Sequence, residues 1–342
     1  MTRHSSHRPR AALLIALAAL LVVSAFLVLH LVLAGNGPTW RQDGLPGATV
    51  HSLSVAPRPS GIVFAATQTG VYRRDPGGAW RYVLRAYTVW SVQILSDGRT
   101  VLVGDQAGTV YISRDLGHHW TGSSVTPMGV YAVSGQPGHP HRLLAGAAGG
   151  VYLSVDGGVH WQRRLALPNA AGAAFAWSPG TVSTVFAGSV AGAAGGSTRV
   201  FVSRDSGLHW RVFGRALGSR GGIMSLAVPS THLDAGTMGN RLWTISLTGG
   251  RWQQHAAGVP PNQHVSGIAT VPGPRETFIA TLGDGVFRSD DGGRRWATVS
   301  DGLPSVDQSQ IVLSLAYAPR EHALYAGTTN GVFRMHTAVP SS

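Results

Sequence analysis

After residue 35 the chain is written in short runs that alternate apolar and polar positions. VHSLSVAP (50–57), VWSVQILS (89–96), IMSLAVPS (223–230) and VLSLAYAP (312–319) each read as one strand with a buried face. Such runs are followed by a second apolar run and, as a rule, by a Gly-bounded Val-Tyr or Val-Phe segment, as in VFAATQTGVYRRD, LLAGAAGGVYLSVD and LYAGTTNGVFRMH. The pattern predicts units of four short strands separated by tight turns. It predicts no helix after residue 35.

An octad closes most of these units. SRDLGHHW (113–120), SVDGGVHW (154–161), SRDSGLHW (203–210) and SDDGGRRW (289–296) share Ser, Asp, Gly and Trp at fixed offsets. RRDPGGAW (73–80) has Arg73 in place of the Ser, and ISLTGGRW (245–252) has Leu247 in place of the Asp. Trp40, Trp80, Trp120, Trp161, Trp210, Trp252 and Trp296 follow one another at intervals of 40 to 49 residues. Four strands in each such interval predict propeller blades, and these tryptophans predict seven. The strand due after GVFRMH is not found before Ser342, whereas PTWRQDGLPG (38–47) resembles the material that follows the octads. The strand near Trp40 is therefore expected to complete the last blade. Closure of this kind removes the sheet edges that invite aggregation.

Physically the octad suits a hairpin. An Asp carboxylate accepts backbone N–H groups of the turn, a Gly takes a positive φ, and a Ser hydroxyl adds a local bond. These residues resemble the Asp-box, the bacterial neuraminidase repeat. The resemblance is complete at Ser113, Asp115, Gly117 and Trp120, at Ser154, Asp156, Gly158 and Trp161, at Ser203, Asp205, Gly207 and Trp210, and at Ser289, Asp291, Gly293 and Trp296. It implies a β-propeller related to the sialidase and sortilin-like propellers and to the photosystem II assembly-factor type. Because Leu247 replaces one of the aspartates, the octads are expected to be scaffold rather than a shared catalyst.

Composition narrows the function. The 342 residues are 44% apolar and 12% charged, with 46 Gly and 19 Pro, which suits an all-β chain with many turns. Without cysteine there is neither a disulfide nor a thiol nucleophile. MTRHSSHRPR precedes an apolar run over residues 11–34, long enough at ~1.5 Å per residue to cross a bilayer. Arg3, Arg8 and Arg10 place residues 1–10 in the cytoplasm and residues 35–342 outside. Cleavage after Val32-Leu33-Ala34 is the alternative to an uncleaved anchor, and both export the propeller. All 27 basic residues are arginine; less Arg3, Arg8 and Arg10, 24 face 15 acids, so anionic partners are favoured. Export argues against nucleic acid, and the sequence leaves oligomeric state open.

A sialidase would show an early Arg-Ile-Pro, which this chain does not have. Glu276 and Glu321, the only glutamates, read as solvated loop charges. Outside the octads the candidates for a glycosidase pair are Asp43, Asp97, Asp105, Asp234, Asp284, Asp301 and Asp307, of which Asp105 and Asp284 lie in second-to-third strand turns. The histidines of HPH (139–141) and of the octads lack convergent acids, so neither a metal nor a cofactor is expected. Joins between blades are rich in arginine instead. Arg41, Arg81, Arg85, Arg163, Arg164, Arg211, Arg215 and Arg220, with Tyr87, Trp90, Tyr131, Phe175 and Trp177 nearby, predict a guanidinium and aromatic rim for a protein or other acidic ligand on the channel face. SVAGAAGGSTR (189–199) predicts a longer turn over that face.

Overall fold

The computed structural model describes residues 39–57, 61–191, 198–217, 221–239, 242–255, 257–271, 276–305 and 309–337. The expected tail, the apolar segment 11–34, Arg220, Asp307 and most of the long turn at 189–199 lie outside these residues. Among the described residues there is no helix, and the strands pair antiparallel in sheets of eight, six, four, four and four.

The chain builds units in sequence order. Val50–Val55, Val63–Thr67, Gly70–Arg74 and Trp80–Arg85 form the first, and Val89–Ile94, Val101–Asp105, Thr109–Ser113 and Thr121–Ser124 the second. The long strands His139–Ser154 and Gln162–Trp177 carry the third unit into the fourth. The last unit takes Gln310–Ala318, Ala323–Thr328 and Gly331–His336, and then the strand Arg41–Gly44 from the other end of the chain, with Arg41 opposite Arg334. Trp40 seats that strand: it is 2% exposed and its Nε1 donates to the Val299 carbonyl at 2.6 Å.

Adjacent sheets pack face to face, and each interface has its own apolar core. Phe64, Val71, Val89 and Val101 fill the seam between the first two units; Val50, Val63, Tyr325 and Val332 fill the seam between last and first. A fully buried side chain such as Phe64 supplies about 3–5 kcal/mol as judged by truncation to Ala.

The first strand of each unit touches the first strand of the next, from Val50–Val55 round to Gln310–Ala318, which touches Val50–Val55 again. These inner strands are sheet edges, and polar side chains of the preceding unit cover them. Ser54 Oγ accepts the Ile94 N–H at 2.9 Å, Ser91 Oγ the Val133 N–H at 3.2 Å, and Gln93 Oε1 the Gly135 N–H at 3.0 Å. Backbone donors facing the centre are thereby satisfied without a further strand.

Candidate binding site at the central channel

The octads fold as local hydrogen-bond knots. In the second unit the Ser113 hydroxyl donates to Asp115 Oδ1 at 2.8 Å and accepts the Gly117 N–H at 2.7 Å, while Asp115 Oδ1 also accepts the N–H groups of His118 and His119. Gly117 has φ +85°, where a side chain would be strained and would press on Phe64. The same knot recurs at Ser154, Ser203 and Ser289. In three of them a histidine caps the carboxylate: Nδ1 of His119, His160 and His209 stands 2.5, 2.7 and 2.7 Å from Oδ2 of Asp115, Asp156 and Asp205. Backbone N–H groups of His119 and His160 chiefly hold Asp115 and Asp156 far below the usual carboxylate range. For Asp205 burial pushes upward, but the His209 and Ser203 hydrogen bonds outweigh it and bring the carboxyl down to about 2. Carboxylates so engaged are held ionised, which suits a lock on the hairpin rather than a proton donor.

The altered octads keep the hairpin by other means. Arg73 donates from Nε and Nη2 to Asp75 Oδ1, and from Nη1 to the Leu116 carbonyl of the next unit. Leu247 and Trp252 pack against the core shared with the preceding unit, so apolar contact replaces the carboxylate.

Several expected site residues fall elsewhere. Asp105 is 1% exposed and its Oδ1 accepts the Thr109 N–H at 2.9 Å, which fixes its own turn. Asp284 occupies the corresponding turn of the sixth unit, its N–H donating to Thr281 Oγ1. Neither lines the channel. Glu276 and Glu321 are not solvated loop charges: Glu276 is 9% exposed and pairs with Arg288, while Glu321 accepts from Tyr325 at 2.5 Å and from Arg334 at 3.3 Å. Asp43 joins the same cluster, 3.4 Å from Arg74 and 3.5 Å from Arg334. Burial pushes its carboxyl up against the pull of both arginines. This ion cluster joins the closing strand to the last and first units.

Nor does the arginine rim assemble as a whole. Arg81 is paired with Asp75 on the octad side. Arg164 bonds Gln162, whereas Arg85, Arg211 and Arg215 are exposed, with no carboxylate partner among the described residues. Among the described arginines of the group Arg163 alone reaches the channel, beside Tyr152 and Gly149.

What the chain does bring together is a ring of bulge residues. In every inner strand the pairing with its neighbour slips by one residue near the start, and the residue in the slip is His51, Trp90, Tyr131, Ala173, Met224, Ser266 or Leu313. A bulge re-aims the side chain it carries. All of them line one central channel of about 1300 Å³. Three in succession are rings: His51 and Trp90 have centroids 4.6 Å apart, Trp90 and Tyr131 6.1 Å. Trp90 Nε1 is held by Gln106 Oε1 at 2.6 Å, and Gln106 N–H in turn donates to the Tyr87 carbonyl. Burial lowers the His51 imidazole, against its bond to the Val89 carbonyl, so the ring is held neutral. Met128, 60% exposed, also lines the channel, and Tyr87, 73% exposed, lies outside its lining. Met224 and Met238 line it across the ring, and Leu313 stands on the inner strand next to that of His51. Arg163 carries the one formal charge among the described lining residues, and none of them is a carboxylate. Such a channel can hold an apolar group beside an anion, and its described lining residues offer no pair of carboxylates.

No protein-family model matches the chain, and no curated protein sequence does. Solved structures do resemble it. The GH74 xyloglucanase of Xanthomonas campestris superposes with a TM-score of 0.69 at 18% identity over 86% of this chain and 53% of that one. The GH74 enzyme of Niastella koreensis gives 0.68 at 18%, again over 86% and 53%, so this chain spans about half the length of those hydrolases. YCF48 bound to D1 peptide gives 0.66 at 15% identity over 90% and 97%. These identities establish architecture and nothing finer: by its fold, the chain is an all-β propeller.

Proposed function

We propose that this chain is a membrane-anchored, extracytoplasmic, seven-bladed Asp-box propeller that works as a non-enzymatic binding or assembly module. Its channel mouth would receive an apolar segment of a protein partner, with an acidic group of that segment against Arg163. One observation carries the reading: a bulge-built arc of His51, Trp90 and Tyr131 opens beside a single arginine, with no carboxylate among the described lining residues. Aromatic and arginine side chains are the groups that dominate binding energy at protein interfaces. The propeller of YCF48, seen with a D1 peptide, is similar over nearly its whole length. The apolar segment 11–34 after Arg3, Arg8 and Arg10 supports the anchor and the placement outside the membrane.

Likeness to GH74 enzymes favours a second reading, a glycoside hydrolase of the neuraminidase-repeat class acting through Asp105 and Asp284. Both readings meet one experiment. Full-length protein, solubilised in neutral detergent, is cross-linked to its native membranes and assayed in parallel on xyloglucan and sialoside substrates. Capture of a defined partner, lost in Trp90→Ala and weakened in Arg163→Gln, is the expected result. Turnover abolished by Asp105→Asn or Asp284→Asn would overturn it.

A further inference from the structure

The octad side carries a second opening, independent of the channel. A cleft of about 500 Å³ is lined by Gln136, His139, His141, Arg142, Val155 and Ser206, so it lies between the first loop of the third unit and octad hairpins of the third and fourth. Arg142 is the unusual residue. It is only partly exposed, yet no carboxylate among the described residues stands within ion-pair reach. The other described arginines that are not exposed, Arg73, Arg74, Arg288 and Arg334, each face an acid. A guanidinium withdrawn from water is costly to leave without a counter-charge.

The surroundings deepen the imbalance. His139 and His141 line the cleft with Arg142, and Arg114, whose Nη2 donates to the Gly157 carbonyl at 3.1 Å, stands with the His141 ring beside Gly157. The nearby octad acids cannot answer. Asp156 is engaged by Ser154, by the N–H groups of Val159 and His160, and by the His160 ring; Asp205 is engaged by Ser203 and His209 in the same way. No lining residue is acidic.

We propose that this cleft binds a tetrahedral oxoanion, a phosphate or sulfate group, with Arg142 as its principal ligand and His139 and His141 as flanking donors. The planar guanidinium fork suits two oxygens of such a group at once. The anion can be free phosphate, or the phosphate of a headgroup or chain; the chemistry at Arg142 is the same.

The test compares melting of the full-length protein in neutral detergent at equal ionic strength in chloride, inorganic phosphate and inorganic sulfate. Phosphate is expected to raise Tm over chloride, saturably, as a ligand of the native state does. Arg142→Gln is expected to abolish that rise while melting no lower than wild type in chloride, because it removes an uncompensated charge. Arg142→Lys, which keeps the charge and loses the fork, should weaken phosphate by about tenfold, the value of one hydrogen bond to a charged group, and serves if the Gln variant fails to fold. Glycerol phosphate and polyphosphate, titrated the same way, separate a headgroup or a chain from the free ion as the preferred source. Equal melting in phosphate and chloride, or an undiminished phosphate response in Arg142→Gln, would overturn the proposal.

Discussion

The octad hairpins and the channel mouth each recur once per unit, the hairpins between third and fourth strands and the mouth on the first strands, yet they treat polar atoms in opposite ways. In an octad the Ser hydroxyl both donates and accepts, the Asp accepts backbone N–H groups, and three of the four complete copies add a histidine to the second carboxylate oxygen. Identity is repeated because the job is repeated. At the mouth the bulge position changes in every unit, from His51 and Trp90 to Ala173 and Leu313. What recurs there is the bulge itself, and the side chain on it is free to differ. Repetition marks architecture in this chain, and variation at a constant backbone position is what the proposed binding role would require.

That contrast breaks if either face does the other's work. The largest effect is expected at Trp90. As the central ring of the arc, its truncation to Ala should cost about 2 kcal/mol or more of partner affinity, roughly 30-fold or above, read by titration of the captured partner. Its melting temperature should shift by only a few degrees. Ser203→Ala is the reverse case. It leaves the Gly207 N–H, buried behind the octad, without its acceptor, and costs about 1–3 kcal/mol of stability. At about 2–4 °C per kcal/mol this is measurable by calorimetry. Partner affinity should not change. A Trp90 variant that unfolds, or a Ser203 variant that loses the partner while still folded, would erase the distinction between the two faces.

The sequence made the octads and the spacing of their tryptophans readable because each knot closes within eight residues. The bulge ring was in plain view as well, in VHSLSVAP, VWSVQILS and IMSLAVPS, but alternation alone assigns faces by strict parity. One slipped residue reverses that parity. The repeated apolar opening residue, followed by a position of changing identity, is the signal that could have found the ring. The arginine rim failed for a simple reason of length. Arg81 and Arg85 sit at opposite ends of the strand Trp80–Arg85, about 13 Å apart at ~3.3 Å per residue. The first belongs to the octad side, where Asp75 takes it. Glu321 and Asp43 could not be placed from local pattern, since their partner Arg74 is distant in sequence and meets them only when the ring closes.

Smaller effects sharpen the same comparison. Arg163 is exposed at the edge of the channel, so Arg163→Gln should cost about 1 kcal/mol of partner affinity, roughly fivefold, and less as salt rises. The affinity of Trp90→Ala relative to wild type should be nearly independent of salt, because it reports apolar burial. Affinity measured at two ionic strengths for both variants separates the parts of the site. Equal salt dependence in the two would show that the arc and the arginine do not act as distinct elements.

The subtlest expectation concerns acid. Asp205 ionises at about 2 in the folded chain, against about 3.9 for an unfolded Asp, so its folded form holds the proton less tightly. The associated stability is complete above the unfolded value and disappears as pH falls from about 4 through 2. Asp115, Asp156 and Asp291, lowered in the same direction, act with the same sign. Asp43, raised by burial, opposes them: it favours the folded state as acid is added. Melting followed from pH 5 to pH 2 should therefore fall. Asp205→Asn, which cannot gain a proton, should fall less steeply while starting lower. Because each octad carboxylate is largely open to solvent, the difference between the two slopes will be small, and parallel slopes would mean that the hairpin acids stabilise the fold equally in both protonation states.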